Sequence, residues 1–145
     1  MQVIIQEEKN RTETQVFIYC RETDEKVRKI ERFIKRLSYT MHVTSSDGIS
    51  KIRADEILYI ESVDRRTFLY TPEKVYETKE PLYQLENQLH DTGITRVSKN
   101  CLLNVDSLKH ISPFTNHRFE ATLANGEKIL VSRTYIKDLK KKLEG

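Results

Sequence analysis

Glycine, proline and cysteine are scarce in this 145-residue chain, with four, three and two copies, and tryptophan is absent. Three of the four glycines, Gly48, Gly93 and Gly126, fall where turns or caps are expected, so none is left for a phosphate-cradling loop, and there is no Gly-x-Ser-x-Gly turn. The cysteines, Cys20 and Cys101, form no Cys-x-x-Cys pair; each stands alone in an apolar run and is expected to be a small buried hydrophobe. His42, His90, His110 and His117 are scattered without metal-ligand spacing. No apolar run approaches the roughly 18 residues of a membrane span. The start, Met1 to Glu8, has too short an apolar run for a signal peptide, and acidic residues follow it. Neither cofactor nor metal is expected, and the expected location is the cytoplasm. For an enzyme only the loose carboxylates Asp55, Glu56, Glu61 and Asp64 speak, and solvated or salt-bridged carboxylates are the commoner outcome.

What is present is a chain that is 37% hydrophobic and 32% charged, enough for one domain or a domain with a small appendage. Its net charge of +3 is unevenly spread. Residues 41–93 hold six Lys and Arg against ten Asp and Glu, whereas residues 94–145 hold ten against five. The basic last third hints at a polyanionic partner, although basic segments are often only solvated faces.

Val3 to Ile5 and Gln15 to Arg21 read as short strands. Thr23 suits a helix N-cap, with Asp24 and Glu25 in the first turn. Val27, Ile30, Ile34 and Leu37 then recur at helical spacing beside Phe33. The basic residues of this 23–38 helix, Arg32 and Arg36 among them, are expected on its solvated face. From Met41 onward short apolar runs are separated by turn signals, Ser46-Asp47-Gly48 and Asn125-Gly126 being hairpin signals. Pro81 suits the start of a short helix carrying Leu82, Leu85 and Leu89, which Gly93 would terminate. Ser132 suits the cap of a last helix bearing Ile136, Leu139 and Leu143. Strands every eight to twelve residues with small helices argue for a mainly β, antiparallel sandwich or barrel-like fold over residues 41–145. Residues 1–40 form a β-β-α appendage.

Three polar clusters adjoin apolar strands: Asp64-Arg65-Arg66, Ser98-Lys99-Asn100 and Ser132-Arg133. Arginine suits guanine's acceptors and phosphate, asparagine adenine, and lysine phosphate or guanine. Each cluster alone is weak. Together they make a discontinuous surface if the fold gathers them.

Over residues 41–145 the chain resembles the LytTR-type DNA-binding domain of bacterial transcription regulators. The resemblance is carried by an ordered set. Ile57-Leu58-Tyr59-Ile60-Glu61-Ser62 is followed by arginines and a strand, and then by the short leucine-bearing helix from Glu80 to Leu89. Next come Arg96-Val97-Ser98-Lys99-Asn100-Cys101-Leu102-Leu103-Asn104, and finally Asn125-Gly126 to Val131-Ser132-Arg133-Thr134-Tyr135. It implies an antiparallel β fold whose loops read successive DNA major grooves. Carried over by position, the contacting residues are Arg65 or Arg66, then Lys99 and Asn100 with Ser98 beside them, and Arg133. Ser98 stands where the family often has histidine, and Cys101 where an aromatic is usual. Asn104 and Glu61 are expected to be structural.

The resemblance further implies a stand-alone regulator that binds double-stranded DNA as a homodimer on paired repeats. A small membrane-bound inhibitor protein is a further family-level expectation. The 23–38 helix or the N-terminal strands would help to pair protomers. The alternative is a protein-interaction module without DNA binding, engaging a regulatory partner through the amphipathic helix.

Overall fold

The computed structural model describes residues 1–144. Its centre is a strand that the sequence marks by having no polar alternation, Cys101-Leu102-Leu103-Asn104. A strand buried on one face alternates apolar and polar residues; one buried on both faces does not. This strand, β7 (Cys101–Asn104), is buried at all four positions. It lies in a five-stranded antiparallel sheet with β3 (Tyr59–Val63), β4 (Arg66–Tyr70), β5 (Val75–Thr78) and β6 (Ile94–Ser98), in the order β5-β4-β3-β7-β6.

Successive side chains point to opposite faces, and each face has its own core. Leu102 joins Ile60, Leu69 and Ile94 on one side. There they meet the hairpin of β1 (Thr40–Ser45) and β2 (Gly48–Arg53) and the leucines of helix α2 (Leu82–Gln88). Cys101, Leu103 and Val97 belong to the other core. That core is completed by a three-stranded sheet, β8 (Leu108–Pro113), β9 (Phe119–Leu123) and β10 (Lys128–Val131), and by helix α3 (Ile136–Glu144). The antiparallel, sandwich-like expectation is met, with the central sheet covered on both faces.

Local chemistry fixes the hairpins. Ser46 and Asp47 form the β1–β2 turn, and Gly48 follows at φ 123°, a value that side chains with a Cβ avoid. In the β9–β10 turn Gly126 donates to the Leu123 carbonyl (2.9 Å), and Asn125 accepts from the Glu127 amide. Buried Asn104 is structural. Its Nδ2 donates to the Ile57 carbonyl (3.0 Å) and its Oδ1 accepts from the Asp106 amide (3.1 Å).

Helix α1 (Glu25–Ser38) forms where periodicity places it, but Asp24 is its cap, accepting from the Val27 amide at 2.9 Å. The larger correction concerns the arginines. Arg32 and Arg36, expected in solvent, are buried, while of the apolar stripe Val27, Ile30 and Ile34 are half-buried and Phe33 and Leu37 about half exposed. Asp106 explains the burial of the arginines. Its two carboxylate oxygens meet Arg32 Nη2 at 3.2 Å and Arg36 Nη1 at 2.6 Å. Arg32 also bonds Glu25 (3.1 Å), and Arg36 Nη1 donates to the Thr92 carbonyl (2.8 Å). With Glu25 the cluster is electrically neutral, the condition under which charges can leave water. Gly93 makes the approach possible: a Cβ there would lie 2.8 Å from Arg36 Nη1. Gly93 therefore seats α1 rather than ending α2.

The two N-terminal strands do not form. Residues 1–24 contain no strand, and all are exposed. An isolated β segment leaves its amides and carbonyls unpaired, so propensity alone does not hold it in a sheet. The first strand begins at Thr40, and what precedes it is an exposed arm without strands, followed by helix α1, rather than a β-β-α unit. Cys20, expected to be buried, is exposed with the arm; Cys101 is buried.

Candidate nucleic-acid interface

The three polar clusters come together at one end of the central sheet. Strand β3 runs toward Asp64, β7 starts from Asn100 at the same end, and Glu61 lies opposite Cys101. The Ser62 amide donates to the Asn100 carbonyl at 2.8 Å, tying the first turn's strand to the second turn. The Ser132 amide donates to the Val97 carbonyl at 2.9 Å, tying the third cluster to β6. Backbone bonds fix these spacings more firmly than side-chain contacts would.

The first turn is a tight two-residue connection between Val63 and Arg66. Asp64 and Arg65 both have left-handed backbones, at φ 50° and 66°. This is the hairpin geometry whose twist matches its strands, and glycine or asparagine is the usual occupant. An arginine there is unfavourable by about 1 kcal/mol. Arg65 is held exposed at the apex, and no ion pair engages it among the described residues. Arg66 differs: it opens β4 and its Nε lies 3.4 Å from Glu77. The far end of the hairpin is locked by Tyr59 stacked on Tyr70, with centroids 4.2 Å apart and planes 12° apart.

The second turn places Lys99 and Asn100 in solvent and Ser98 half-buried. Its support is Arg96, a residue that the sequence did not single out. Arg96 Nε and Nη2 reach the two oxygens of Glu86 on α2, each at 3.1 Å. Its Nη1 donates to the Lys99 carbonyl at 2.5 Å. A planar fork thus clamps the turn to a helix. Only the ten-residue gap between Glu86 and Arg96, crossing a turn, separates them in sequence, and that gap carries no periodic signal. Arg96→Ala is expected to leave the fold standing, since the pair is partly exposed, with a loss of about 1 kcal/mol. Lys99 and Asn100 amides should exchange faster with solvent in that variant, as hydrogen-exchange measurements would show.

Cys101, just inside this turn, is not a reactive thiol. Burial first, then the charge of Glu61, push its pKa up to about 12, against a smaller opposing effect of Arg96. Tyr59 is likewise raised above its ordinary 10.0, by burial and by its hydrogen bond to Glu127.

The third cluster departs from expectation in one respect. Ser132 is not the cap of α3, which begins at Ile136; residues 133–135 form a turn ahead of it, closed by the Tyr135 amide on the Ser132 carbonyl (3.1 Å). Arg133 is exposed in that turn. Among the described residues no group of three His, Cys, Asp or Glu side chains could hold a metal ion, and no helix is long and apolar enough to cross a membrane.

The antiparallel core thus presents three short, cation-bearing turns at one end. Residues 47–144 match the family described as LytTr DNA-binding domain, and the chain belongs to that family. It is similar to the sensory transduction protein LytT of Bacillus cereus, 31% identical over 97 residues covering 67% of this chain and 39% of that protein. It is 28% identical over 129 residues to LytT of Bacillus subtilis, covering 84% and 54%. It is 29% identical over 101 residues to the transcriptional regulatory protein LytR of Staphylococcus aureus, covering 70% and 41%. The chain thus spans about half or less of the length of these relatives. Among solved structures it resembles the LytTr DNA-binding domain of a putative methyl-accepting/DNA response regulator from Bacillus cereus. The TM-score is 0.63 at 25% identity, over 73% of this chain and 97% of that one.

Proposed function

We propose that this chain is a sequence-specific regulator of transcription, acting in the cytoplasm on double-stranded DNA. The carrying observation is the gathering of three cationic turns at one sheet end, in a member of this family. Arg65 at the first apex, Lys99 and Asn100 at the second and Arg133 at the third read base edges and anchor phosphates. Arg66, drawn to Glu77, is secondary, and half-buried Ser98 positions the second turn. The strained backbone at Arg65 supports this choice, since strain of that kind persists where a side chain has work to do. The active species is a homodimer on paired repeats. Restraint by a small membrane protein rests on the family resemblance alone.

Selection of bound duplexes from a random pool supplies the target, and titrations then test the residues. Arg133→Ala should lose about 1–3 kcal/mol on the selected duplex. Arg65→Gly separates function from stability. It relieves the left-handed strain, so the fold should gain about 1 kcal/mol while duplex affinity falls at least as far as for Arg133→Ala. Wild-type affinity should also drop steeply with salt through counterion release. A wild type indifferent to duplex sequence would sink the reading. A second reading, a protein-interaction module, is favoured by the outward Phe33 and Leu37 of α1; salt-insensitive binding to protein with no retained duplex would support it.

A further inference from the structure

The N-terminal arm has the sequence of a strand but forms none. Residues 1–22 are exposed, residues 14–20 carry no turn, bend or strand pairing, and among the described residues only one backbone bond closes within the arm, from the Arg11 amide to the Glu8 carbonyl. Val3, Ile4, Ile5, Val16, Phe17 and Tyr19 are each more than half exposed, and Ile18 is 40% exposed. Water solvates the free amides, but it does not favour this much apolar surface left open.

We propose that residues 13–21 pair antiparallel with the same residues of a second copy of this chain. The inference rests on the homodimer reading above and names its surface. The argument for a second copy is self-complementarity. With Phe17 facing its own counterpart, Val16 meets Ile18, Gln15 meets Tyr19, Thr14 meets Cys20 and Glu13 meets Arg21, each pair occurring twice by the two-fold axis. Thr14, Val16, Ile18 and Cys20 then share one face, small or apolar throughout, because alternate residues of a strand point the same way. On the other face each Glu13 lies opposite an Arg21, an oppositely charged cross-strand pair.

The test is a charge swap in the full chain, read as dimer dissociation constant by sedimentation without DNA, so that pairing and duplex binding are measured separately. Wild type should dimerise. Glu13→Arg and Arg21→Glu should each weaken the dimer about tenfold, since each replaces two attractive pairs with two repulsive ones. The double swap should restore it. Because both residues are exposed in the single chain, neither swap is expected to disturb the fold, and circular dichroism checks this. A wild type that stays monomeric, single swaps that leave the dimer intact, or a double swap that fails to restore it each overturns the pairing. A chain that remains monomeric yet associates with another protein through the arm overturns it in favour of that partner.

Discussion

Asp106→Ala is expected to cost about 3–5 kcal/mol if α1 stays docked. Two buried guanidinium groups converge on that carboxylate, and its removal leaves one uncompensated positive charge among Arg32, Arg36 and Glu25. Little slack exists to absorb it, because Arg32 Nε and Arg36 Nε already lack partners. Detachment of α1 is the escape route, so the measured loss equals the smaller of the charge penalty and the helix's docking free energy. The two outcomes look different. Denaturant unfolding reports the loss, while hydrogen exchange over residues 25–38 shows whether the helix has come off. Near-wild-type stability with α1 still protected would mean that the cluster is screened by solvent and does not hold the helix.

Leu102→Ala should cost about 4 kcal/mol, toward the upper part of the range for buried leucines. Leu102 is fully buried in the strand that the whole sheet is built on, paired to Ile60 on one side and Arg96 on the other. With hydrogen bonds along both edges the backbone cannot sink into the cavity, which is why relaxation recovers little. At this chain length the melting temperature should fall by about 10 °C or more. Leu130, 40% exposed on β10, is the control and should lose far less when truncated. Similar losses at the two positions would contradict the two-core arrangement.

The sequence revealed strands and turns where the cause was local. Asn125-Gly126 announces its hairpin, and the apolar run at 101–103 announces a buried strand. Three matters depended on distant residues and were not legible. Helical spacing shows which side of α1 is apolar, but not that Arg32 and Arg36 are buried. That was decided by Asp106, seventy residues past Arg36. The arm has strong strand propensity, yet no neighbour in the chain pairs with it. Arg96 reads as one more strand residue until Glu86 and the Lys99 carbonyl are placed around it. The three turns were legible as polar clusters. Their common end of the sheet came from two backbone bonds that no pattern of residue types encodes.

Strand β7 has a thermodynamic consequence. Lys99 and Asn100 precede it, and Asp106, the anchor of α1, follows two residues beyond its end. Its four residues span about 13 Å, and every one of them is buried. Free energy exchanged across it is reciprocal: whatever an anion bound at Lys99 does to the docking of α1, the docking of α1 does in equal measure to the anion.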